Sequence, residues 1–211
     1  EGPLGADSLK ELGQLSLEQL LSKFRAQHPD RVAVLSLTFK RNTRLKDALE
    51  QLAEDAVKAV QTGAALLVLD DSEAHQNDRL WMDPHLAVSK IDIALKAKKL
   101  GGGDNLRRHA SIVLRSAAVR NLHDIIVAYG LGADLISPYL LFATAAGEKA
   151  GAQGVYKTYQ ALQKGLEKVI STIGTHELRG YTRFFSSIGL HPEVAEVLDI
   201  VNYLGSEKGG T

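Results

Sequence analysis

Arg115 and Ser116 stand side by side directly after the apolar run 111–114, and Tyr139 follows Pro138 just after another short run. A guanidinium offers two parallel N–H donors, so Arg115 could take a carboxylate or phosphate in a bidentate fork, with Ser116 adding a hydroxyl. The commoner use of such an arginine is an ion pair, and Asp70 or Asp71, at the end of a neighbouring run, is the expected partner. Asp70 and Asp71 themselves suggest a carboxylate pair for metal or acid–base work. Successive residues of a strand point to opposite faces, however, so capping or loop solvation is the preferred reading. His123 could titrate near neutral pH as an acid or base. Standing one residue off the apolar stripe of its helix, it is read instead as a half-buried histidine with a hydrogen bond.

Other chemistries lack their residues. The 211-residue chain has no cysteine, which removes disulfides, thiolate zinc sites, iron–sulfur ligands and thiol nucleophiles. The seven histidines include no HxH or HExxH spacing, and His75, His85, His176 and His191 fall in loops or at helix ends. A dinucleotide fingerprint needs its glycines after a strand and before a helix. Gly101-Gly102-Gly103 and Gly130-x-Gly132 both precede strands, so they read as helix stops. No GxSxG elbow is present. The formal net charge of zero gives no bulk attraction to nucleic acid or an anionic membrane. No run of eighteen apolar residues suggests a membrane span, and no secretory signal is recognised, so a cytoplasmic protein is expected. The chain begins with Glu1, which reads as a processed end or the cut edge of something longer.

The elements that must position these groups alternate. Ser16 and Gln19 fit a capping box, followed by the stripe Leu17, Leu20, Leu21 and Phe24. Residues 31–37 (RVAVLSL) form a run typical of a buried parallel strand. Leu45, Ala48, Leu49, Leu52, Ala53, Ala56, Val57 and Val60 then mark one face of a helix, and Gly63 is placed to stop it. A second strand is expected over 65–69, a polar loop over 72–82, and a helix opened by Asp83 and Pro84 and ended by the glycine run. A third strand over 111–114, a helix through Leu122, Ile125, Ile126 and Tyr129, and a fourth strand over 134–136 complete the alternation. Val155, Tyr159, Leu162, Leu166, Val169, Ile170 and Ile173 give the strongest helical stripe. Pro192 opens a last helix with Val194, Val197, Leu198 and Val201 inward. The expected fold is α/β, a partial (β/α) barrel-like parallel sheet flanked by helices, since a full eightfold barrel needs more chain. Residues 1–30 are read as a lead-in segment with a short helix, 31–204 as the domain, and 205–211 as a solvated tail.

With these motifs in order, the chain resembles the central domain of glutamate synthase over roughly residues 31–200. The stretch SIVLRSAAVRNLHDIIVAYGLGADLISPYLLFAT, residues 111–144, carries most of the likeness. There Arg120 and His123 stand at a helix start, Tyr129-Gly130, Gly132 and Ala133 in a turn, and Pro138-Tyr139-Leu140 after a strand. Residues 165–171 (GLEKVIS), Phe185 and Ile188-Gly189-Leu190 resemble later family motifs. Three places depart from the pattern. Asp70-Asp71-Ser72 replaces a Ser-Asp-Arg, Ile91-Asp92-Ile93-Ala94 replaces a His-rich helix end, and the stretch after Ser171 is shorter, with Gly180-Tyr181.

The resemblance implies division of labour. In that family a glutaminase domain releases ammonia, and a flavin barrel with an iron–sulfur cluster uses it. The central domain joins the two and helps to wall the ammonia passage. On that basis no catalytic, cofactor-binding or metal residue is expected here, FMN and the cluster belonging to partner domains in the same or another chain. Arg115, Ser116, Arg120, His123 and Tyr139 are the candidate ligand or interface residues. The opposing expectations are a stand-alone flavin- or oxo-acid-binding enzyme built around Arg115, Ser116 and Tyr139, or an independent binding module.

Overall fold

The computed structural model describes residues 16–74, 78–99, 102–147, 149–175, 178, 183 and 189–203. His75, Gly101, His176, Gly180-Tyr181, Phe185 and Ile188, singled out above, lie outside them. Four apolar runs become parallel strands: β1 (Val32–Ser36), β3 (Leu66–Asp70), β5 (Ser111–Arg115) and β6 (Leu135–Ser137), in the order β1-β3-β5-β6. Helices α2 (Leu45–Gln61), α3 (Pro84–Ala97) and α4 (Leu122–Leu131) connect them in turn. The partial barrel-like sheet expected from the alternation is therefore present, and it is not closed.

Alternation along the strands sorts side chains between two faces. On one, Leu67, Leu69, Ile112 and Leu114 meet Leu49, Leu52 and Val60 of α2, Val88, Ile91 and Leu95 of α3, and Ile125, Ala128 and Leu131 of α4. On the other, Val68 and Val113, with Val32, Leu66 and Leu135 at their edges, are covered by Leu17, Leu20 and Leu21 of α1 (Leu17–Gln27). The lead-in helix thus packs on the face that points inward when such a sheet closes into a barrel. Its capping box forms as expected: Gln19 N–H donates to Ser16 Oγ at 3.1 Å and Ser16 N–H to Gln19 Oε1 at 3.0 Å. Asp83 caps α3 through the N–H groups of His85 and Leu86.

Several elements differ from expectation. Within the polar loop, β4 (Arg79–Trp81) pairs antiparallel with β2 (Thr38–Lys40), three-residue strands too short to show a period. Helix α3 stops at Ala97, before the glycine run, and Lys99 bridges to Asn105 across the turn holding Gly102 and Gly103. A 3₁₀ turn (Leu106–His109) leads into β5. Helix α5 (Tyr139–Ala146) was concealed by being apolar nearly all round, so that no stripe stood out. The long stripe does form a helix, α6 (Gly151–Ile173), but only Val155 on it is buried. Leu162 packs partly on the core, while Tyr159 and Ile173 are exposed. In α7 (Pro192–Leu198) the buried residue is Ala195, with Val197 and Leu198 against the core; Val201 is exposed.

Candidate functional site: the carboxyl ends of the strands

In parallel α/β folds, ligands meet the carboxyl ends of the strands. Here β3 and β5 end on Asp70 and Arg115, which face each other in register. Arg115 Nη1 donates to Asp70 Oδ1 at 2.8 Å, and its Nε lies 3.5 Å from Glu18 Oε1 on α1. The guanidinium carbon sits 4.6 Å from the centroid of the Tyr139 ring. Burial works to lower the Arg115 pKa, but the bond to Asp70 and the charges of Asp70 and Glu18 outweigh it and raise it. The ion pair expected of Arg115 is therefore present, and much of its fork is engaged.

One residue further, Asp71 turns into the interior and is 2% exposed. Its carboxylate accepts from Ser116 Oγ at 2.5 Å, from the Ala117 N–H at 3.0 and 3.1 Å, and from the Tyr139 hydroxyl at 2.9 Å. The expectation of capping or loop solvation fails for Asp71, because donors from the β5 and β6 connections converge on it. Asp70 does take a loop role, accepting from the Ser72 N–H at 2.9 Å, besides its ion pair. Burial and the bond to Asp71 push the Tyr139 phenol up to about 12. One aromatic residue thus joins both acids, its face under Arg115 and its hydroxyl on Asp71.

Three of the five sequence candidates, Arg115, Ser116 and Tyr139, are brought together; Arg120 and His123 are not. Both are exposed at the start of α4, where Asn121 Oδ1 accepts from the His123 N–H at 2.8 Å and Asp124 Oδ2 from the Arg120 N–H at 2.8 Å. His123 is exposed, not half-buried, because the second position of this helix faces solvent. Among the described residues, no group of three or more histidines and carboxylates is arranged to hold a metal.

A second cluster, unforeseen in the sequence, lies at the opposite ends of the strands. Asp92, 2% exposed, receives Lys96 at 2.7 Å, Arg107 at 2.8 Å and Arg183 at 3.0 Å. Arg107 also pairs with Asp134 at 2.8 Å, and Asp134 accepts the Ile112 N–H at 2.7 Å. Gly132 sits against this cluster at φ +120°, where a Cβ would come within 2.6 Å of the Asp92 carboxyl carbon. The family departure at Asp92 is thus a buried charge hub, and its only signal in the sequence was an acid inside an apolar helix face.

A fold with parallel strands, helices outside and polar groups gathered at the carboxyl ends defines a barrel-related α/β domain, and solved structures bear this out. A double mutant of flavocytochrome b2 with pyruvate bound superposes with a TM-score of 0.54 at 20% identity, covering 74% of this chain and 39% of that one. A mandelate oxidase mutant with a monooxide FMN adduct gives 0.52 at 16% identity, covering 78% and 57%. The chain belongs to the glutamate synthase central domain family, whose sequence model matches residues 9–191. It is 30% identical over 193 residues to the large chain of the NADPH glutamate synthase of Bacillus subtilis (strain 168), covering 86% of this chain. It is likewise 30% identical over 174 residues to the ferredoxin-dependent glutamate synthase of Pyropia yezoensis, covering 72% of this chain. It spans only 12% and 11% of the length of these two relatives, which are multi-domain proteins. No helix among the described residues is long and apolar enough to cross a membrane.

Proposed function

We propose that this chain is a connecting domain of a glutamate synthase, serving glutamate biosynthesis and ammonia assimilation without being catalytic by itself. Residues 31–204 are the domain proper, and it links a glutaminase domain to a flavin-barrel domain and walls the ammonia passage between them. FMN and the iron–sulfur cluster belong to those partners, and the assembly works in the cytoplasm.

The observation that carries this reading is the closed hydrogen bonding of the strand ends. Barrel-related neighbours include flavoenzymes, so the fit of a flavin here can be judged from the donors. Arg115 is engaged by Asp70, and Ser116, Tyr139 and the Ala117 N–H are engaged by Asp71. Binding a flavin phosphate would require breaking these bonds beside Glu18, Asp70 and Asp71, three carboxylates that repel it. The residues present do not fit the group. The same donors instead tie β3, β5 and the start of α5 together, as a rigid spacer requires.

The test is an absorption spectrum of the purified chain, FMN titration, and co-purification with separately expressed glutaminase and flavin-barrel domains. A colourless protein that leaves the flavin spectrum unchanged and retains both domains is expected. A yellow protein, or micromolar perturbation of FMN abolished by Arg115→Ala, would establish the flavin enzyme instead.

A further inference from the structure

The β2–β4 ribbon projects from the carboxyl side of the sheet, anchored by Leu37, whose N–H donates to Asp70 O at 2.7 Å and whose carbonyl accepts from Met82 N–H at 2.9 Å. At its outer end an open groove of about 750 Å³ is lined by Lys40, Arg41, Asn42, Asp78 and Arg79. Three of these residues are cationic and one is anionic. Lys40 and Arg79 lie directly opposite each other in the antiparallel register. Like charges in that relation repel, and a cross-strand pair of opposite charge would be the stabilising choice. Arg79 is nevertheless held in place, its Nε donating to Thr38 Oγ1 at 2.5 Å. The Lys40 and Arg41 side chains, both exposed, form no hydrogen bond or ion pair among the described residues. Arg44, the next cation along, is already paired with Asp47 at 2.8 Å. Asp78 holds a left-handed backbone, φ +75°, at the edge of the groove.

We infer that this groove binds a small multivalent anion, whose oxygens relieve the Lys40–Arg79 repulsion. Two cationic side chains lie free beside a third guanidinium, held because its Nε and Nη2 both turn back onto Thr38. Together the three charges suit an anion with several oxygens, such as a diphosphate or a small polycarboxylate. The volume falls within the range of small-ligand sites, about 300–1,000 Å³. The site is separate from the Arg115–Asp71 cluster and does not depend on the connecting-domain reading.

Calorimetric titration of the chain with pyrophosphate and, separately, with citrate, at constant ionic strength against a sodium chloride control, tests this. Saturable binding of either anion supports the inference, and the arm that binds identifies phosphate or carboxylate recognition. The Lys40→Ala/Arg41→Ala double variant, altered only at exposed positions, should bind at least tenfold more weakly with unchanged circular dichroism. Asp78→Asn should bind more tightly, since it removes the one opposing charge. No saturable heat with either anion overturns the site, as does equal affinity in the double variant.

Discussion

Asp70 on β3 and Arg115 on β5 stand opposite each other in register, and their side chains close a 2.8 Å ion pair across the strand ends. Register makes the pair nearly inevitable. Parallel strands place the two residues side by side, and the alternation of faces turns both toward α1. Glu18 then meets the same guanidinium from above the sheet.

Arg115→Ala should therefore act as a stability change. The lost charged hydrogen bond and the stacking on Tyr139 predict a cost of about 1–2 kcal/mol. Urea unfolding of Arg115→Ala, Asp70→Ala and the double variant measures the coupling. Additive losses would show that the pair contributes nothing.

Asp71 should matter more than Asp70. Its carboxylate satisfies Ser116, Ala117 and Tyr139 in the interior, and an amide in its place turns two donors toward donors. Asp71→Asn should cost about 3 kcal/mol, and Tyr139→Phe about 1 kcal/mol. If Asp71→Asn unfolds at the same urea concentration as the parent chain, the network has no structural role.

The Tyr139 phenol gives this cluster a pH signature. Its pKa in the folded chain is raised to about 12, whereas the unfolded value is about 10. A group that holds its proton more tightly when folded adds stability below pH 10. That contribution is lost as the pH rises through the window from about 10 to 12. The melting temperature of the parent chain should consequently fall more steeply across this window than that of Tyr139→Phe. Parallel curves would show that the phenol is not held by Asp71.

The contrast between the two ends of the sheet explains what the sequence disclosed. Arg115, Ser116 and Tyr139 could be grouped beforehand because each follows an apolar run, and parallel strands bring such positions together. The capping box at Ser16 and the Asp83-Pro84 helix start were legible for a similar reason, since both are local. Asp92 was not. Its partners Arg107 and Arg183 lie fifteen and ninety-one residues away, and no periodicity reports a contact made through tertiary packing. The β2–β4 ribbon escaped because three-residue strands carry no period. The role of Asp71 was missed because the donors that enclose it come from two later strand ends.

Gly132→Ala tests the opposite end. The position has φ +120°, which L side chains rarely adopt, and the new methyl would approach the Asp92 carboxyl carbon to 2.6 Å. Strain and displacement of a buried ion hub act together, so a loss above about 2 kcal/mol is expected in urea unfolding. A loss below about 0.5 kcal/mol would mean that Asp92 moves aside freely and that its three cations do not fix it.

Leu162→Ala addresses the long helix. Its stripe is the strongest in the sequence, and strength of pattern alone would predict a fully buried leucine costing about 2–5 kcal/mol on truncation. The structure lowers that figure. Leu162 is only partly buried at the margin of the main core, and Tyr159 and Ile173 on the same helix are exposed. The truncation removes contacts on one side and leaves a dent open to water, not a cavity, so about 1–2 kcal/mol is expected. Leu114→Ala, at a position with no exposure in the same core, should cost about 3–5 kcal/mol and serves as the reference. Equal losses at the two positions would place α6 firmly on the sheet and contradict the partial burial of Leu162. A clear gap between them would mean that the stripe of α6 exceeds what the core of this chain covers.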